Sequence, residues 1–190
     1  MAIGYAFVVL MGILGGLALG RVRILDEALG GLAVALNSIP GAAWVPFAIV
    51  IFGFNEMAVI FTVLLGATGI VMVNTSSGIR DVPPLILRAA RTMGARGSNV
   101  FWHVIVPAAV PRIVDGLRLA WAFGWRALMA GELIVSSVHG MGQLLNTAAK
   151  ARQLDELIGF MLVVALVGVL VDGLIFKQLE KSIRLRWGSA

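Results

Sequence analysis

Residues 88–111 read RAARTMGARGSNVFWHVIVPAAVP, and this stretch divides the chain. It lies between long apolar runs, yet it contains three arginines, two glycines and no acidic residue. The whole chain of 190 residues is 59% hydrophobic and 13% charged, with a mean hydropathy of +0.96. Because water-soluble domains do not reach this composition, we predict an all-α membrane protein in which the quoted stretch is a polar loop.

Five apolar segments approach the length of about 20 residues that a helix needs to cross a bilayer. They cover 2–20, 38–54, 57–75, 108–135 and 157–176. The first has no basic residues before it, so we expect a span rather than a cleaved signal peptide. The second contains Pro40 and Pro46, which predicts a kinked segment continuous with a helix over 25–37. Since no long polar stretch could fold separately in water, residues 1–190 are expected to form a single transmembrane domain.

The basic residues indicate how the predicted spans are oriented. If five spans alternate, Lys150 and Arg152 fall on one side and most other cations fall on the opposite side: Arg21, Arg23, Arg80, Arg88, Arg91, Arg96, Arg112, Lys177, Lys181, Arg184 and Arg186. The side with more Lys and Arg residues is expected to be cytoplasmic, which puts the amino terminus outside and the carboxyl terminus inside. The net charge of +5 is therefore attributed to membrane topology, and no nucleic-acid partner is expected.

The loop predicts a short helix with defined ends. Pro83 and Pro84 suit a first helical turn, and Gly94 suits a helix end, which gives a helix over 85–93. A second helix is expected from Ser98 to Pro107, after which the fourth span begins.

One face of the first loop helix is apolar, because Ile86, Ala90 and Met93 recur at helical spacing. A helix this short is not stable alone. It is expected to lie in a groove of a partner protein, or else on the lipid headgroups.

The loop resembles a known motif of ABC-importer permeases. Arg88-Ala89-Ala90, three residues, Gly94, nine residues, Val104, then Val106-Pro107 is similar to the family's E-A-A, three residues, G, nine residues, I, one residue, L-P. Three more stretches look like the nitrate, sulfonate, taurine and bicarbonate branch of these permeases: SIPGAAWVPFAIVIFGFNE (38–56), NTSSGIRDVPP (74–84) and WRALMAGELIVSSVHGMGQLL (125–145). The resemblance covers about residues 5–186.

The resemblance implies a type I importer permease fold of about five transmembrane helices plus a cytoplasmic coupling helix within a loop at about 79–107. In the family this helix docks on a separate ABC ATPase subunit, which binds ATP and Mg²⁺. The corresponding residues of this chain are Arg88, Ala89, Ala90, Arg91, Met93, Gly94, Val104 and Pro107. The resemblance also implies an inner-membrane location, a second permease copy and an extracytoplasmic solute-binding protein. This chain is expected to be no enzyme and to hold no cofactor.

The chain departs from the family pattern in two ways. Arg88 stands where the family has Glu, and the chain begins at what looks like the second of six spans. Both departures allow an alternative, a non-transporting or degenerate scaffold subunit. A second alternative is a membrane enzyme acting on lipids, which would need clustered acidic or His residues, whereas the ten acidic residues are scattered and His103 and His139 are isolated.

Several polar residues fall within the predicted spans, where charge is costly unless it is paired or hydrated. Asn74, Arg126 and Glu132 are candidates for a substrate pathway, and Arg126 is the first candidate to offset the charge of an anion such as nitrate, a sulfonate, taurine or bicarbonate. Arg118 follows Asp115 by three residues, a spacing that predicts a local ion pair. Thr75, Ser136 and Ser137 could bond a substrate, although such hydroxyls more often bond their own backbone.

Overall fold

A computed structural model of the chain describes residues 1–135 and 137–187, and Ser136 lies outside this part. The described residues are helical almost throughout, which confirms the predicted all-α class. The α-helices are α1 Ala2–Arg21, α2 Arg23–Leu25, α3 Gly31–Ser38, α4 Trp44–Phe52, α5 Glu56–Arg80, α6 Pro84–Thr92, α7 Ser98–Val100, α8 Val106–Ile134, α9 Met141–Lys150, α10 Leu154–Val171 and α11 Lys177–Trp187. A 3₁₀ turn at Gly41–Ala43 and π-helical turns at Asp26–Gly30, Phe101–Ile105 and Asp172–Phe176 join several of them.

Helices α1 and α5 lie side by side and run in the same direction. Four glycines of α1 each contact the residue 59 positions later in the chain, and the pairs are Gly4–Val63, Gly12–Val71, Gly16–Thr75 and Gly20–Ile79. A Cβ atom built on Gly12 would lie 2.5 Å from Val71 Cβ, so only glycine allows this approach. Small residues on one helix face commonly permit such close packing in membranes.

The parallel pair requires residues 22–55 to return across the bundle. The return consists of two helical pieces, Asp26–Ser38 and Gly41–Phe52, which meet at 90°. The predicted kink is confirmed and lies at Ile39 and Pro40, whose backbone is not helical. The preceding helix and the second segment are continuous in sequence as expected, with a non-helical break at Ile39 and Pro40 between the two pieces. Pro46 does not break α4, since it lies in the first helical turn, where its missing N–H is not needed.

The bent pair is one crossing, and the other four crossings are made by helices long and apolar enough to span a bilayer. Helix α8 runs antiparallel to α5, because Gly78 contacts Arg112 whereas Gly131 contacts Val59. Helices α10 and α11 run antiparallel to α8. The basic residues counted on the richer side therefore lie at one end of the bundle, as five alternating spans require.

The fourth span begins earlier than the sequence suggested. A continuous helix runs from Ser98 to Ile134, so the prediction that a separate helix ends at Pro107 is wrong. The π-helical turn Phe101–Ile105 ends two residues before Pro107, and such wider turns tolerate a residue that lacks its N–H. The loop is consequently joined to the span without an intervening break.

Helix α10 has little contact with the rest of the bundle, and none of its residues is buried. It stands off from α8 and leaves an elongated cavity of about 790 Å³ between them, walled by Trp121 and Trp125. Tyr5 fixes α1 to α8 by donating a hydrogen bond of 2.8 Å to the carbonyl of Leu117 and by an edge-to-face contact with Trp121.

The glycine contacts between α1 and α5 predict that a larger side chain destabilises the protein at Gly12 but not at an open glycine elsewhere. Gly12→Leu should lower the free energy of unfolding by about 1–3 kcal/mol through overpacking, as measured by denaturant titration in detergent. Gly159→Leu is the matched control, since a Cβ on Gly159 of α10 meets nothing within 4 Å. Equal losses in the two variants would contradict the parallel packing.

Candidate functional site

The basic loop forms the short helix that the sequence predicted, with ends displaced by one residue. Helix α6 covers Pro84–Thr92, with Pro84 in its first turn. Its carboxyl end is a Schellman motif, in which the N–H of Ala95 donates to the Ala90 carbonyl and the N–H of Gly94 donates to the Arg91 carbonyl. Gly94 has φ +90°, a left-handed conformation that explains why glycine occupies this position.

The exposed face of α6 differs from the predicted one. Ala90 is only 4% exposed and points toward the body of the protein, whereas Leu85 and Met93 are 75% and 83% exposed. The predicted apolar face is therefore wrong for Ala90, whereas Ile86 and Met93 are exposed as expected. Leu85, Ala89 and Met93 recur every four residues on the exposed surface and form what we call the docking stripe, and Ile86 and Arg88 lie exposed beside it.

The base of the loop packs firmly against the spans. Phe101 is buried in a cluster with Ile79, Ala109 and Ile113, and the Arg21 guanidinium lies 4.9 Å from the centre of the Phe101 ring. Val104 and Pro107 are half-buried on the same stretch of helix. A displacement of α6 would therefore be passed to α1, α5 and α8 together.

A second connection leads from the end of α5 to the bent segment. Arg80 forms an ion pair with Asp26, which lies on the π-helical turn that leads into α3. The same guanidinium donates hydrogen bonds to the Leu19 carbonyl at 3.3 Å and to Ser76 Oγ at 3.2 Å. The start of the loop is thereby tied to the helix that ends at the break.

The local pair predicted between Arg118 and Asp115 is wrong. Arg118 instead binds Asp172 of the last span through two contacts, Nε to Oδ1 at 2.5 Å and Nη2 to Oδ2 at 2.7 Å. Glu180 lies 3.5 Å from the same guanidinium. The bidentate geometry of a guanidinium and a carboxylate favours this longer-range pair, and it fastens the otherwise loosely packed last span to α8.

Glu132 is 8% exposed and is bound at the opposite end of the bundle. Its Oε2 accepts a hydrogen bond of 2.9 Å from the N–H of Gly142 in the first turn of α9. A carboxylate at a helix amino terminus pairs with free N–H groups and with the positive end of the dipole. Glu132 therefore positions α9, and its role in a pathway stays a prediction.

Asn74 bonds its own helix, since its side-chain Nδ2 donates to the Ile70 carbonyl at 2.8 Å. Its Cβ also lies close to Gly116 of α8. Thr75 is buried against Gly16, and Ser137 donates to the Phe54 carbonyl. None of these residues lies beside Arg126, so the structure does not bring the predicted polar pathway residues together.

Arg126 is exposed and borders two cavities, one of about 390 Å³ at the break between α3 and α4 and the larger one between α8 and α10. Its guanidinium lies 5.1 Å from the centre of the Phe123 ring. Within residues 1–135 and 137–187, no carboxylate forms an ion pair with it, in contrast to Arg80 and Arg118.

Sequence reasoning missed several residues of this cavity, including Asn37, Gly41 and Gly66. The signal that could have revealed them is the run Asn-Ser-Ile-Pro-Gly at 37–41, where polar residues precede a Pro-Gly pair inside an apolar stretch. Among the described residues, no group of three or more His, Asp or Glu side chains could hold a metal ion.

Comparisons with known proteins agree with the fold. Residues 9–184 match the family described as binding-protein-dependent transport system inner membrane component. A solved structure of the MetNI methionine ABC transporter in inward-facing conformations is similar in fold, with a TM-score of 0.76 and 16% identity over 95% of this chain and 89% of that one.

Curated relatives of this chain are named as permeases. A bicarbonate transport system permease protein of Synechococcus elongatus is 32% identical over 90% of this chain and 62% of its own length. A nitrate import permease protein of Synechocystis is 30% identical over 90% and 62%. A taurine transport system permease protein of Escherichia coli is 30% identical over 86% and 59%. The chain thus spans about three fifths of the length of these relatives.

The contact between Glu132 and α9 is testable. Glu132→Ala should cost about 1–3 kcal/mol, because it leaves the buried N–H of Gly142 without a partner, and hydrogen exchange should rise in the first turn of α9. Glu132→Gln keeps an oxygen acceptor and should retain most of the protection. Unchanged exchange in the Ala variant would show that this hydrogen bond does not hold α9.

Proposed function

The chain belongs to the family of binding-protein-dependent transport system inner membrane components, and we propose that it is the transmembrane permease subunit of an ATP-driven importer. The observation that carries the proposal is the docking stripe. Leu85, Ala89 and Met93 present an unpartnered apolar surface on a short helix whose base is packed against three spans. A surface of this kind fits a groove on a partner protein.

The partner of the docking stripe is an ABC ATPase subunit, which binds ATP and Mg²⁺ and supplies the energy. The loop residues assigned to coupling are Arg88, Ala89, Ala90, Arg91, Met93, Gly94, Val104 and Pro107. Their roles differ: Ala90 and Gly94 shape the helix, whereas Met93 and Arg88 face the partner. The loop and the richer basic end of the bundle are assigned to the cytoplasm by the positive-inside rule, so Met1, at the other end of the bundle, lies outside.

The substrate is a small anion delivered by an extracytoplasmic solute-binding protein. Relatives named for bicarbonate and nitrate transport support this class, and the relative named for taurine transport fits it through the sulfonate group of taurine. Arg126, which borders two cavities and has no carboxylate partner in the described part of the chain, also supports it, because an unpaired cation can offset the charge of a passing anion. Two permease copies form the pathway, and ATP-driven approach of the two coupling helices moves the spans between two conformations.

The docking stripe predicts a specific loss of ATPase binding. The chain is to be purified together with the ATPase of its own transport system in lipid nanodiscs. Met93→Asp should reduce captured ATPase activity at least about tenfold, since a charge in an apolar contact costs more than about 1.4 kcal/mol. Leu154→Asp is the control, because Leu154 is 70% exposed at the opposite end of the bundle.

Gly94→Asp provides a second variant that acts on the shape of the loop. An Asp at φ +90° is strained, so the end of α6 should shift and ATPase capture should fall. If the wild-type chain captures no ATPase, the importer proposal fails, and a scaffold subunit becomes the better description.

A further inference from the structure

The cavity at the helix break, which we call the break cavity, contains two polar features at mid-bundle depth. The first is Arg126 on α8. The neighbouring residue Ala127 contacts Gly66, which lies ten residues after the start of α5 and fourteen before its end. A charge at this depth costs several kcal/mol unless it is paired or hydrated.

The second feature is the interrupted backbone. Ile39 and Pro40 are not helical, and a new helical segment begins at Gly41. The first N–H groups of a helix have no partner within that helix. Non-helical backbone at membrane depth occurs only where protein buries it or where it lines an aqueous cavity. In this chain it lines the break cavity, together with Arg126.

Close contacts between small residues fix the walls of the break cavity. A Cβ built on Gly66 would lie 3.3 Å from both Ala127 Cβ and Gly41 Cα, so three chain segments meet there. Asn37 is held in the same way, because its Oδ1 lies against Gly69 with no room for a Cβ between them. This Oδ1 is buried without a hydrogen-bond partner. Asn37 also borders the break cavity.

We propose that the break cavity is a binding site for one small oxyanion on its way through the permease. Arg126 supplies the charge, and the Asn37 side chain and the N–H groups of Gly41 and Ala42 supply hydrogen-bond donors, since the N–H of Ala43 already donates to the Pro40 carbonyl. No carboxylate of the described residues lines the cavity, so a cation would find no counter-charge from them. A single arginine binds weakly enough for the anion to leave again, as a conducting site requires.

This inference rests on the proposed function and extends it by naming the site and its donors. It also explains why the Phe123 ring lies next to the Arg126 guanidinium. Phe123 lies 5.1 Å from Arg126 and offers a cation–π contact while the site is empty. The arginine is thus held in place without a carboxylate that would compete with the anion.

The test uses the chain with its ATPase in nanodiscs of phosphatidylcholine alone. Thermal unfolding is followed against sodium nitrate, sodium bicarbonate and taurine at constant ionic strength, with sodium gluconate as the balancing salt. At least one small anion should stabilise the wild type in a saturable manner. Arg126→Gln should weaken this apparent affinity at least about tenfold, the scale of one lost charge-assisted hydrogen bond.

Two further variants make the result specific. Arg112→Gln, an exposed arginine on the same helix, should keep the wild-type affinity. Asn37→Ala should weaken binding less than Arg126→Gln does, because a neutral donor contributes less than a charged one. If Arg126→Gln does not fold, the comparison of Asn37→Ala with Arg112→Gln still tests the site. Of these two variants, only Asn37→Ala should weaken anion binding.

Equal stabilisation of wild type and Arg126→Gln would overturn the proposal by showing a general salt effect. If no small anion stabilises the protein but phosphatidylglycerol in the nanodiscs does, the proposal is also overturned, because a lipid headgroup would then bind Arg126. ATPase capture is measured in the same samples. If the ATPase binds but no small anion does, the site is refuted while the importer proposal stands; if no ATPase binds, the proposed function itself has failed.

Discussion

The parallel contact between α1 and α5 is the constraint on which the rest of the fold depends. Two neighbouring spans that run in the same direction cannot be joined by a short turn, so the chain between them must recross the bundle. Gly12 and Gly16 bring the two backbones close enough to leave little room for a third helix between them. The returning segment is bent through 90° at Ile39 and Pro40, and the break cavity forms at this bend.

The same arrangement connects the docking stripe to the break. Arg80 ends α5 just before the loop and pairs with Asp26, which begins the helix that leads to Ile39. Phe101 begins the return into the membrane and lies beneath Arg21. A partner that moves α6 would thus act on both sides of the bent segment. Interfaces of this kind change between discrete arrangements rather than deforming continuously, which suits a permease that alternates between two access states.

Much of this organisation could be predicted from sequence, because it depends on local signals. Composition identified the spans, Pro84 and Gly94 marked the ends of α6, and the positions of arginine gave the relative orientation. Partners distant in sequence could not be predicted in this way. Arg118 binds Asp172 rather than Asp115, and the inward position of Ala90 follows from packing against the spans. A single sequence offers no signal for such contacts.

ATP-driven uptake tests the central claim most directly. Proteoliposomes containing the chain and its ATPase, with the solute-binding protein outside and ATP within, should accumulate a labelled anion from a panel of nitrate, bicarbonate and taurine. Accumulation should require ATP and should stop when the chain is left out. If a complex that has bound its ATPase accumulates none of these anions under any condition, the account of an anion importer is contradicted.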